Sequence, residues 1–77
     1  MPLYFFDIQD GGHRSHDTEG TQYAGACEAR VDAVKMLVAL AQDGVQGGLQ
    51  SRLSVLVSDE GRRPIMEANI DCSVTVF

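Results

Sequence analysis

Basic side chains are scarce in this chain: six Lys and Arg stand against eleven Asp and Glu, a net charge of −5. Phosphate contacts supply most of the non-specific affinity for nucleic acid, and they need clustered cations. Arg14, Arg30, Lys35, Arg52, Arg62 and Arg63 are dispersed, and only the last two are adjacent. Nucleic acid is therefore excluded as an expected partner, and Arg62-Arg63 reads as a solvated pair in a turn. Tryptophan is absent, and there are only two cysteines. Cys27 and Cys72 form no Cys-x-x-Cys pair, so neither zinc-ribbon nor thioredoxin chemistry is indicated. The opening Met-Pro-Leu-Tyr-Phe-Phe-Asp lacks the cationic and apolar regions of a secretory signal. A cytoplasmic protein with reduced thiols is the expectation. Long apolar runs are missing too. The run Met36 to Leu40 falls far short of the roughly 20 residues that span a bilayer, so no membrane partner is expected.

What is present is enough for one small domain, residues 1–77. At 77 residues the chain buries only about 60 % of the surface it exposes when unfolded, so its core is thin. Domains of this size are commonly reinforced by disulfides, metals or association.

Leu3 to Gln9 alternates with period two and is rich in aromatics, as a strand does. Asp10-Gly11-Gly12 supplies a tight hairpin turn, and His13 to Asp17 reads as a polar edge strand. A second turn, Asp17 to Thr21, places Gly20 at a left-handed position. A helix is expected from about Ala24 to Asp43, with Gly25 as N-cap, Glu28 closing a capping box and Gly44 ending it. Cys27, Val31, Val34, Val38 and Ala41 recur at spacings of four and three, widened by Ala33, Leu37 and Leu40. That stripe is the expected buried face. Arg52 to Asp59 and Arg63 to Ile70 read as a strand pair around the turn Asp59-Glu60-Gly61-Arg62. Val74 to Phe77 keep strand composition, either extending the last strand or forming a fifth.

The order β-β-α-β-β, with or without a further terminal strand, implies a two-layer α+β domain. One long helix lies on a mainly antiparallel sheet of four to five strands. Its expected core is Tyr4 or Phe5, Phe6, Ile8, Val34, Leu37, Val38, Val55, Val57 and Met66. A single helix covers one sheet face only. Leu3, Phe5, Leu56 and Ile65 on the other face are the expected interaction surface.

Chemistry-bearing clusters are few. His13, His16 and Asp17 are the only candidate metal ligands, beside Asp10 and Glu19. On an extended strand, however, residues three apart point to opposite faces, so a solvated turn is the simpler reading. Cys27 on the apolar stripe reads as a buried thiol. Cys72 with a histidine base has no spacing to fix it. Gly11-Gly12 and Gly47-Gly48 match no phosphate-binding pattern. Asp7 and Asp10 read as a hairpin edge. No catalytic residue and no cofactor are expected.

The start Met1-Pro2-Leu3-Tyr4-Phe5-Phe6-Asp7-Ile8, with Asp10-Gly11, the turn Asp17-Thr18-Glu19-Gly20 and the hairpin Asp59-Glu60-Gly61-Arg62, resembles a family of short bacterial proteins, domain of unknown function 6894. Its members typically begin Met-Pro-(Arg or Lys)-Tyr-(Phe or Tyr)-Phe; this chain departs from that in having Leu3. The resemblance covers nearly the whole chain and implies no catalytic residue. The acidic turn before the helix is also similar to one in partial ribonuclease-H-like antitoxins, although those usually carry a separate DNA-binding element for which this chain has no room. The leading expectation is a non-enzymatic protein-interaction or homodimerisation module. The alternatives are an antitoxin-like, toxin-binding protein or a small metal-binding domain built on the His13/His16 loop.

Overall fold

Alternation in the chain becomes one antiparallel sheet in the computed structural model, which describes residues 1–45, 52–71 and 75–77. The elements in chain order are β1 (Leu3–Asp10), β2 (His13–Ser15), β3 (Thr21–Gln22), α1 (Ala26–Val45), β4 (Arg52–Ser58) and β5 (Pro64–Asp71). The strands lie in the order β2-β1-β4-β5, with β3 also paired to β1. One helix on one five-stranded antiparallel sheet is the two-layer α+β arrangement expected from the sequence.

Period-two placement decides what each sheet face carries. On the helix side, Phe6 pairs with Val57 and Ile8 with Val55; Val57 in turn meets Met66, Val55 meets Ala68, and Leu53 meets Ile70. On the open side, Asp7 is opposite Leu56 and Leu56 opposite Glu67, while Gln9 faces Ser54 and Ser54 faces Asn69. The open face is thus more polar than the sequence pattern suggests.

β2 and β3 behave as one edge strand interrupted by a turn. Ile8 is opposite Ser15, yet Tyr4 is opposite Thr21. Two more residues lie between Ser15 and Thr21 than an unbroken strand would need, and the Asp17 turn takes them up.

The helix turns a different face inward from the one expected. Ala29, Ala33 and Leu37 are buried against Tyr4, Phe6, Leu53, Val55 and Val57, with Met36, Leu40 and Ala41 partly buried beside them. Val31, Val34 and Val38 are instead 49 %, 48 % and 45 % exposed, and Cys27 is an exposed free thiol. The core positions assigned to Val34 and Val38, and the buried thiol assigned to Cys27, are therefore corrected. The physical reason is volume. The sheet contributes bulky rings, with Tyr23 packed on Tyr4 and edge-on to Phe6 at centroid distances of 6.0 and 5.7 Å. A helix can approach such a surface closely only through small side chains, since facing layers fill space by pairing large with small. Alanine provides that and valine does not.

Smaller departures lie at element ends. The helix begins at Ala26 and runs through Gly44 to Val45, while the Glu28 carboxylate folds back beside Gly25. Thr75 to Phe77 are irregular; Cys72, Val74 and Gly47-Gly48 lie outside the described residues.

Candidate functional site

The Asp17 turn is where polar groups converge most densely. Its Oδ2 accepts a hydrogen bond from the Phe6 amide at 3.0 Å, and its Oδ1 accepts from the Glu19 and Gly20 amides at 3.2 and 3.0 Å. The carboxylate substitutes for the strand carbonyl that the interrupted edge cannot offer to Phe6. The Asp17 amide donates to Asp7 Oδ1 at 3.0 Å, and Asp7 Oδ2 meets His16 Nδ1, also at 3.0 Å. Partial burial pushes the Asp17 carboxyl upward, but the Gly20, Phe6 and Glu19 amides and the Arg62 charge outweigh it and hold the group below its ordinary value.

Gly20 is required at this turn. It has φ of +76°, and a Cβ there would lie 3.0 Å from Leu3 Cγ, Phe5 Cε1 and the Tyr4 carbonyl oxygen. Only a residue without a side chain tolerates both the left-handed backbone and the contact.

The second motif closes on the first. Asp59 Oδ1 accepts from the Gly61 and Arg63 amides at 3.0 and 2.9 Å, and the Asp59 carbonyl accepts from the Arg62 amide at 2.9 Å. This tight hairpin holds Arg62 at φ of 66°, a left-handed conformation that non-glycine residues adopt at a cost of about 1–2 kcal/mol. From there the Arg62 guanidinium donates to the Asp17 carbonyl at 2.9 Å and lies 3.5 Å from the Phe5 ring centroid. A cation on an aromatic face contributes roughly 0.5–1 kcal/mol at exposed sites. Arg62, read from sequence as merely solvated, is the bolt between two turns 45 residues apart.

These contacts place the remaining candidates. His16 is held by Asp7 and Asp17 by backbone amides, while His13 sits on the exposed β2 edge; the structure does not gather His13, His16 and Asp17 into a ligand set. Among the described residues, no group of three or more His, Cys, Asp or Glu is arranged to hold a metal ion. Of the expected interaction surface, Phe5 is buried beneath Arg62, Leu3 packs against the Gly20 turn, Leu56 is half-buried and Ile65 is exposed. Cavities on the open face are shallow, about 150 Å³ beside Asp7, Arg14 and Leu56 and about 300 Å³ beside Arg52 and Asn69. A third, about 340 Å³, runs beside His16, Tyr23 and Met36. At its wall, Tyr23 donates its hydroxyl to Asp32 Oδ2 at 2.7 Å. Burial, that hydrogen bond and the nearby Asp32 and Asp17 charges push the Tyr23 phenol up to about 12.

The outer flank of α1 is chemically the opposite of this clasp. Cys27, Val31, Val34 and Val38 follow one another at spacings of four, three and four, and all are exposed. This is the 3-4 spacing with which one helix packs along another. The sequence marked these residues correctly as a stripe and assigned them to the wrong side.

Fold and motifs together define a class: a small two-layer α+β domain whose two Asp- and Gly-containing turns are joined across an open sheet face. The family described as Domain of unknown function (DUF6894) matches residues 3–71, and the chain belongs to it. Both turns lie within the matched span. No curated protein and no solved structure is matched by the chain. Among the described residues, no helix is long and apolar enough to cross a membrane.

Proposed function

We propose that this chain is a non-enzymatic cytoplasmic module that associates with a second copy of itself, the outer flank of α1 forming the contact. The observation that carries this reading is the near-half exposure of Val31, Val34 and Val38 on one helix face. Isolated exposed apolar residues are ordinary, but a helical stripe of them is a surface suited to burial. A thin core favours association for the same reason. The polar residues of the two turns support a structural role, because their hydrogen bonds are spent on backbone groups and on each other. That leaves the clasp without an aligned nucleophile and base. The net charge of −5 favours protein over nucleic acid as the partner.

Light scattering after size exclusion, over a hundredfold range of concentration, tests the reading. A dimer that dissociates on dilution is expected. Val34→Glu, on an exposed site, is expected to keep the circular dichroism of the parent and to be monomeric. A parent chain that stays monomeric at millimolar concentration overturns the proposal.

A further inference from the structure

The side of the helix on which the valines lie can be read from its other contacts. Asp32 binds Tyr23, and Met36 shares a cavity wall with Phe6, Ile8 and Tyr23, so both point toward β1 and the β2–β3 edge. Two residues further along a helix is about 200° of rotation. Val34 and Val38 therefore point the other way, toward the flank above β5. Among the described residues that strand is the outer member of the sheet, paired on one side by β4. An apolar helix flank and a strand edge that no described residue pairs thus share one side of the sheet.

We infer that the second copy adds at this side, β5 pairing antiparallel with its counterpart across a two-fold axis while the two helices pack antiparallel along Val31, Val34 and Val38. This inference rests on the self-association proposed above and specifies its geometry.

Spacing supports it. The helix packs over β4 and β5, so its axis lies about half a strand spacing inside β5. With strands about 4.8 Å apart, pairing of the two β5 edges would set the helix axes roughly 10 Å apart. Packed helices are separated by about 8–10 Å, so both contacts can form together.

Charge selects the register. Centred on Glu67, the pairing would oppose two like carboxylates, which is destabilising. Centred on Ala68, it sets Glu67 against Asn69 and Met66 against Ile70 of the second copy, and leaves Ala68 against itself. Met66, Ala68 and Ile70 line the helix-side face of β5, so this register continues the core beneath the paired helices. The opposite edge of the sheet is poorly suited to such pairing. It is broken at the Asp17 turn, and the Phe6 amide there is already taken by the Asp17 carboxylate.

Amide hydrogen exchange on the unmodified chain at low and high concentration is the primary test. Protection of β5 amides is expected to rise at least tenfold with concentration, and β2 and β3 amides to stay unchanged. In a cysteine-free background (Cys27→Ser, Cys72→Ser), Ala68→Cys is expected to form an inter-chain disulfide under mild oxidation. His13→Cys on the β2 edge is expected to form none. Concentration-dependent dimerisation with protection at β2 and β3, or without any change at β5, overturns the geometry while self-association stands. A monomer at every concentration removes both. Should Ala68→Cys not fold, the exchange measurement still decides.

Discussion

The clasp and the helix flank are built in chemically opposite ways. Around Asp17 and Arg62 the polar side chains of Asp17, Asp59 and Arg62 are engaged mainly with backbone groups, and the Asp- and Gly-containing turns are found there. Along Val31, Val34 and Val38 the side chains are apolar, exposed and part of no motif. The contrast shows that a distinctive residue pattern can serve the fold itself. Asp, Gly and Arg at fixed spacing are what two irregular turns require to close over a sheet edge, and that requirement alone accounts for the pattern. The comparison is testable as a dissociation. Damage to the clasp should lower stability, and damage to the flank should lower association only.

The largest loss is expected from Gly20→Ala. The new Cβ meets two side chains and a backbone carbonyl at 3.0 Å, in a left-handed backbone. Overpacking and the unfavourable φ together should cost about 2–4 kcal/mol. Urea denaturation at a concentration where the chain is monomeric measures it. A cost below about 0.5 kcal/mol would mean that the turn does not require glycine.

Asp17→Asn should come next, at about 1–3 kcal/mol, because the amide replaces a charged acceptor of three backbone N–H groups with a weaker one. Its pH dependence is a sharper readout than its size. The folded-state pKa of Asp17 is depressed, so its contribution is fully present above the ordinary carboxylate value near 3.8. It is lost as pH falls through the lower folded value. The Asp17→Asn chain should therefore lose less stability than the parent as pH falls below the ordinary carboxylate value of 3.8. Parallel stability curves for the two proteins in that window would contradict the role given to Asp17.

How far these regions were legible in the sequence follows from the forces that shape each. The strands were readable because one-sided burial imposes strict alternation, and the Gly20 turn because glycine is the residue that a left-handed bend selects. The helix existed in the pattern, but its orientation did not. Ala29-Ala33-Leu37 and Val31-Val34-Val38 are both apolar stripes at helical spacing, and hydrophobicity ranks the valines higher. What decides between them is the size of the rings on the facing sheet, a pairing made across the fold. β3 was missed because two residues are too few to alternate. Arg62 was invisible as a bolt because its partners, Phe5 and Asp17, are far from it in sequence.

Tyr23→Phe should cost about 0.5–1.5 kcal/mol, the net worth of its hydroxyl bond to Asp32. The phenol's folded pKa is raised to about 12 from 10.0. Its stabilising contribution is therefore complete below pH 10 and lost as pH rises toward 12. Spectrophotometric titration of the folded chain should show one tyrosine ionising well above the ordinary range, and Tyr23→Phe should remove it. A tyrosine that ionises at 10 in the folded protein would argue against the Tyr23–Asp32 bond and, with it, against the assignment of helix faces that depends on Asp32 pointing toward β1.

The smallest effect on stability is expected from Val34→Ala, and it sharpens the comparison most. Valine is about half-exposed there, so little burial is lost within one chain. Alanine has the higher helix propensity by up to about 0.7 kcal/mol. In dilute solution the change should be neutral or slightly stabilising. If the proposed dimer forms, the same substitution should weaken association at high concentration, since it removes a branched side chain from the proposed helix contact. Stability that rises in the monomer while the dimer weakens is the signature of a residue kept for contact. Ala33→Val, on the buried face, should instead destabilise the monomer by crowding the core it shares with Tyr4 and Phe6. If Val34→Ala instead destabilises the isolated monomer as much as a core truncation does, the flank is part of the core and the division between the two regions fails.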